Sequence, residues 1–111
     1  MRVQQVSMEH ISLGAGDHRA SWGALLQRTV FQVSITDELD HRAQGEAAPI
    51  QGYSDDSMER TLACLQRVLS PDGGLIGANV EHPEDIVRLL DELDLTPAAA
   101  HAVDQALLAL L

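Results

Sequence analysis

Two short segments hold the side chains best suited to chemistry: Arg19-Ala20-Ser21-Trp22-Gly23 and Pro49-Ile50-Gln51-Gly52-Tyr53-Ser54. A guanidinium fork matches a carboxylate in a bidentate pair, so Arg19 could meet a substrate acid; the plain alternative is a solvated loop arginine. Trp22 and Tyr53 offer apolar surface for a pocket wall, or else cover a core. Ile50 follows a rigid proline at a loop tip, a place suited to lining a pocket. Glu46 carries the carboxylate of a general base, but the sequence supplies it no partner. It reads as structural, its carboxylate pairing with backbone N–H groups or an arginine.

Other reactive types are scattered. His10, His18, His41, His82 and His101 show no metal-ligand spacing and read as surface or loop residues. Gly14-x-Gly16 lacks the third glycine and the following helix of a dinucleotide fingerprint. Cys64, the only cysteine, lies between Leu62 and Leu65 and reads as an inert core or boundary thiol; no internal disulfide is possible.

Composition narrows the partners. The formal net charge is −10, from 17 acidic and 7 basic residues, so a polyphosphate is repelled and nucleic-acid binding is not expected. The acidity otherwise serves solubility. The N-terminus has no apolar signal-peptide core, and no apolar run reaches the ~18 residues of a membrane span, so no membrane partner and a cytoplasmic location are expected. The 111 residues suit one domain, and with 3% aromatics its core must rest on Leu, Val, Ile and Ala.

The elements that must position these residues fall into two halves, strands over 1–50 and helices over 54–111, which indicates an α+β layout within one domain. The first strand is expected from Val3 to about Leu13. A phase change between Val6/Met8 and Ile11/Leu13 suggests a bulge near Glu9-His10. Gly14-Ala15-Gly16-Asp17 reads as a loop. In the second strand Leu25, Thr29, Phe31, Val33 and Ile35 share one face, and Arg28, Gln32, Ser34 and Thr36 the other. Asp37-Glu38-Leu39-Asp40 is a short connection, so a third strand, His41 to about Ala48, returns antiparallel and ends at Pro49.

The first helix is expected to start at Ser54, with Asp55 and Asp56 near its positive end and Met58, Thr61, Leu62, Leu65, Val68 and Leu69 as its apolar stripe. Pro71-Asp72-Gly73-Gly74 stops it. A second helix starts at Pro83, with Ile86, Leu89, Leu90 and Leu93 buried, and a third at Thr96-Pro97. The third helix is apolar on nearly every side toward Leu111, so it is expected to be buried on nearly every side, under another domain or subunit, or to be cut short.

The run Gly45-Glu46-Ala47-Ala48-Pro49-Ile50-Gln51-Gly52-Tyr53-Ser54 resembles the segment closing the N-terminal capping sheet of the enolase superfamily. Within it the chain looks most like the o-succinylbenzoate synthase and dipeptide epimerase branch, of mandelate racemase/muconate lactonizing enzyme type. Arg19 to Gly23 resembles the arginine–small–small–bulky–glycine run of the first capping loop. Pro97 to Leu108 resembles the helix leading into the barrel. The resemblance implies a three-stranded antiparallel meander followed by a three-helix bundle. It implies a substrate-binding set of Arg19, Ser21, Trp22, Ile50 and Tyr53 on loops 13–24 and 49–54.

By the same resemblance, catalysis and Mg²⁺ belong to a TIM barrel, acting in cis or in trans, on a small carboxylate substrate. Barrel lysines would take a proton next to the carboxylate; dehydration gives o-succinylbenzoate for menaquinone synthesis, and reprotonation gives an epimerised dipeptide. This chain departs from the family in having no lysine, and a barrel needs about 250 more residues. The 111 residues are therefore expected to hold no cofactor and not to catalyse alone. Ala43 also stands where many relatives have a second glycine. A different class remains open: a stand-alone acidic module that self-associates, as a homo-oligomer, through its C-terminal helix.

Overall fold

The computed structural model describes the backbone of residues 1–19, 25–48 and 57–111, and the side chains of these except 12–19 and 25–29. Alternation in the second strand organises the sheet. Strands β1 (Val3–Arg19), β2 (Leu25–Asp37) and β3 (Arg42–Ala47) pair antiparallel in the order β1-β2-β3, the expected meander. Phe31, Val33 and Ile35 of β2 point into the core and are 1% exposed or less. Burying such side chains stabilises the fold by about 2 kcal/mol each.

β1 differs from expectation in two places. Its register with β2 runs unbroken from Gln5↔Thr36 to Gly14↔Gln27, so there is no bulge at Glu9-His10. The phase change has another cause: Ile11 pairs with Val30 on the face opposite Met8 and Val33, where Val30 is buried. The extra residue sits instead between Val3 and Gln5, which oppose Asp37 and Thr36. Nor does Gly14-Ala15-Gly16-Asp17 leave the strand. Between Gly14↔Gln27 and Arg19↔Leu25 five steps of β1 face two of β2, so residues 15–18 form an irregularity within the strand with no partner in the register.

The β2–β3 connection closes on Asp37. Its Oδ1 accepts from the N–H groups of Leu39 at 2.9 Å and His41 at 2.8 Å, while Oδ2 lies 3.2 Å from His41 Nδ1. Burial pushes this carboxyl up, but the hydrogen bonds from His41 and Leu39 outweigh it and hold it below its ordinary value.

Helix α1 (Met58–Leu69) is capped by Ser57, whose Oγ accepts from Arg60 N–H at 3.2 Å. The expected cap Ser54, with Asp55 and Asp56, lies outside the described residues. Met58 falls at the first helical position and is 46% exposed; the buried stripe is Thr61, Leu65 and Val68. Ser70 ends the helix. At Gly73 a Cβ would lie 2.3 Å from the Arg67 carbonyl oxygen, so only glycine lets the chain turn this closely over the helix end.

Residues 75–80 have a part the sequence did not suggest. Leu75 and Val80 are fully buried, and the segment pairs with the start of β1: Val3 N–H donates to Ala78 O at 2.9 Å and Gly77 N–H to Val3 O at 2.8 Å.

Helix α2 (Pro83–Leu93) starts on its proline, and Asp85 Oδ2 accepts from the N–H groups of Glu81 and His82 at 2.9 and 3.0 Å. Its C-cap Asp94 is left-handed, and Arg67 Nη2 donates to the Leu93 and Asp94 carbonyls at 2.7 and 2.9 Å, satisfying groups that helix ends leave free. Ile86 and Leu93 are buried; Leu89 and Leu90 are half-buried.

Helix α3 (Pro97–Leu110) buries Ala98, Ala99, Ala102, Val103, Ala106 and Leu107 against β2, β3 and the other two helices. It is not covered all round. Leu108 and Leu111 are 48% and 47% exposed, because the sheet and the other helices occupy one side of its last turn.

Candidate functional site

The two segments singled out from sequence attach at one end of the sheet. β3 ends where Ala47 faces Phe31, while β2 runs back to Leu25 and β1 on to Arg19. Six residues of β2 thus extend past β3, a reach of about 20 Å at 3.3–3.4 Å per residue. Residues 20–24 follow Arg19 in sequence, and residues 49–56 follow Ala48.

Arg19 is placed by its backbone at the far end of β1, paired with Leu25. Its side chain, and Ser21, Trp22, Ile50 and Tyr53 altogether, lie outside the described residues.

Helix α3 points to this end as well. Gly45 meets Ala102, and the next strand residue, Glu46, donates its N–H to Gln105 Oε1 at 3.1 Å. One strand step of about 3.3 Å thus corresponds to three helical residues, about 4.5 Å, in the same direction. The exposed Leu108 and Leu111 therefore lie toward the end of the sheet where both loop segments attach. The Glu46 tie runs through its backbone; its side chain is exposed, and the expected pairing of its carboxylate is not seen among the described residues. Nothing in the sequence marked Gln105, which follows Asp104 on a mostly apolar helix.

Among the described residues the remaining candidates form no second centre; the His18 side chain lies outside them. His10 lies tilted against Phe31, ring centroids 5.2 Å apart. His41 belongs to the Asp37 turn, His82 precedes α2, and His101 is exposed. Among the described residues no three His, Cys, Asp or Glu side chains are grouped to hold a metal ion. An open cleft of about 530 Å³ lies along α1, lined by Arg60, Cys64, Arg67 and Thr96 among others. Arg67 is engaged there with the end of α2, and Cys64 is the half-buried boundary thiol expected. No described helix is long and apolar enough to cross a membrane.

No protein-family model and no curated protein matches this sequence. Solved structures do. The L-Ala-D/L-Glu epimerase of Bacillus subtilis superposes with a TM-score of 0.76 at 23% identity, over 96% of this chain and 30% of that one. The dipeptide epimerase of Methylococcus capsulatus gives 0.77 at 22% identity, over 99% and 31%. A mandelate racemase/muconate lactonizing protein of Herpetosiphon aurantiacus gives 0.72 at 24%, over 96% and 30%. The fold is like that of the N-terminal domain expected from the enolase-superfamily resemblance, an α+β meander followed by helices. The chain spans about 30% of the length of these structures.

Proposed function

We propose that this chain is a substrate-capping domain of an enolase-superfamily enzyme, working in the cytoplasm over a TIM barrel in cis or in trans. The observation that supports the reading is that both loop attachments and the α3 end lie toward the same end of the sheet, the first carried about 20 Å further on the β1–β2 arm. A cap needs that arrangement, since closing loops and the contact with the catalytic body must face the same way. Arg19 would meet the substrate carboxylate, with Ser21, Trp22, Ile50 and Tyr53 shaping the pocket. By the resemblance, Mg²⁺ and the proton-abstracting base would belong to the barrel.

Dehydration to o-succinylbenzoate, as in menaquinone synthesis, and epimerisation of a dipeptide both act next to a carboxylate. The dipeptide epimerases among the similar structures support the second. Adding the chain to an enolase-superfamily barrel stripped of its own cap tests the reading. Restored turnover of either substrate supports it; failure to bind every such barrel removes it.

A second reading, a self-associating module, is favoured by the exposed Leu108 and Leu111. Sedimentation separates the two: a discrete dimer that Leu108→Glu dissolves supports self-association, and a monomer rules it out.

A further inference from the structure

We propose that the free edge of β3 is a self-pairing surface, on which two copies of this chain join antiparallel through residues 42–46 about a two-fold axis at Gln44. This is independent of the capping reading. β3 is an edge strand, and its register with β2 is unbroken from Arg42 to Ala47. The backbone groups of such a strand face its neighbour and the open side by turns. The His41 carbonyl accepts from Asp37 N–H at 2.9 Å, so His41 faces β2, and Ala43, Gly45 and Ala47 face it after the same alternation. The N–H and C=O groups of Arg42, Gln44 and Glu46 therefore face outward. Among the described residues, the Glu46 N–H alone of these groups has a partner, Gln105 Oε1 at 3.1 Å.

An open edge is a template for another strand, and proteins blunt it with lysine, proline or a bulge. Residues 42–47 have none of these. Charge argues for a second copy as the occupant. Gly45 and Ala47 are buried on the core face, while Arg42, Gln44 and Glu46 lie on the other face and are exposed. With the axis at Gln44, each Arg42 stands directly opposite the other copy's Glu46, and the two Gln44 residues face each other. Opposite charges in such cross-strand pairs stabilise, and like charges destabilise. Within the single chain both charges are available. Arg42 Nη2 donates to Ser34 Oγ at 3.3 Å, and among the described residues neither Arg42 nor the Glu46 carboxylate has an ion-pair partner. The same axis makes Arg42–Glu46 and Gln44–Gln44 hydrogen-bonded pairs, each exchanging both N–H···O bonds. The bonds from the Glu46 N–H groups must displace Gln105, an exposed side chain that acts as a brake on pairing. Because the strands run antiparallel, the capping ends of the two copies point in opposite directions.

Charge reversal tests the pairing at exposed positions, without touching the core. In Arg42→Glu, carboxylates oppose each other on both sides of the axis; in Glu46→Arg, guanidinium groups do. Each variant alone is expected to associate about tenfold more weakly than the native chain, or less still. An equimolar mixture should recover, since one variant paired with the other brings opposite charges together at both positions. Sedimentation equilibrium up to about 1 mM reads this, a range that populates even the weak, reversible pair expected of so short a ladder. Gln105→Ala removes the competing acceptor and should tighten the pair severalfold; equal or weaker association would show that the Glu46 edge is not used. Gln44→Pro deletes an outward N–H, leaves the ladder to β2 intact and should abolish pairing. A native chain that stays monomeric over the whole range overturns the proposal. So does a dimer indifferent to both charge reversals, or a mixture that fails to recover. A dimer dissolved by Leu108→Glu but not by Gln44→Pro belongs to the end of α3 and overturns it as well. Turnover with a barrel is read separately, so failure of the pair leaves the capping reading standing, and failure of every barrel leaves the pair.

Discussion

Gly45 and Ala102 stand so close that a Cβ at position 45 would lie 1.9 Å from the Ala102 carbonyl oxygen. Both sides of this contact are backbone, so neither can move aside as a flexible side chain would. Gly45→Ala is expected to destabilise the fold by roughly 3 kcal/mol, the upper part of the usual overpacking range. A urea unfolding midpoint close to that of the native chain would show that α3 can lift off β3 cheaply.

Thr61 and Thr96 share a buried hydrogen bond, Oγ1 to Oγ1 at 3.3 Å, linking α1 to the start of α3. Thr61→Val strands the Thr96 hydroxyl and should cost about 1–2 kcal/mol. The double variant Thr61→Val/Thr96→Val should recover part of that loss, because no unpaired hydroxyl remains. A double variant that loses the sum of the two single losses contradicts this pairing.

Acid should unfold this protein through Asp37, Glu38 and Asp85. Glu38 is held below its ordinary 4.5 by the Arg2 N–H, and Asp85 below 3.8 by the N–H groups of Glu81 and His82. At Asp37 burial works upward, and the bonds from His41 and Leu39 prevail. A lowered folded pKa means the unfolded chain binds protons more readily. The stabilisation is then complete at neutral pH and is lost as pH falls below these ordinary values toward the folded ones. Asp37→Asn should lower the melting temperature at pH 7 and make its decline from pH 5 to 3 shallower. An acid limb as steep as the native one would exclude Asp37 from this linkage.

In an active pairing with a barrel, Arg19→Ala should raise KM or lower kcat/KM about tenfold or more. That is the scale of a lost charge-assisted hydrogen bond. The melting temperature of the chain alone should stay within a degree or two. Unchanged kinetics would remove Arg19 from the site.

Much of the fold is legible because its signals are local. Pro83 and Thr96-Pro97 mark helix starts within one turn, and the alternation of Phe31, Val33 and Ile35 identifies a half-buried strand by itself. The run from Gly45 to Ser54 pointed to an α+β fold of a three-stranded meander followed by helices, and the described strands and helices have that fold. Local signals misled where pairing across strands decides. The glycines at 14 and 16 stay within β1, and Ile11 reverses face to meet Val30.

The sequence alone determined the order and type of the three strands and three helices, and which loop residues are candidates, because capping, period and turn chemistry act over a few neighbouring residues. Tertiary structure decided that Gly45 is required by a helix backbone, that Gln105 ties down an edge 59 residues away in sequence, and that Leu108 and Leu111 stay exposed. Such facts depend on how closely and at what angle two elements meet. That is set by the volume of everything between them, a quantity no short window of sequence contains.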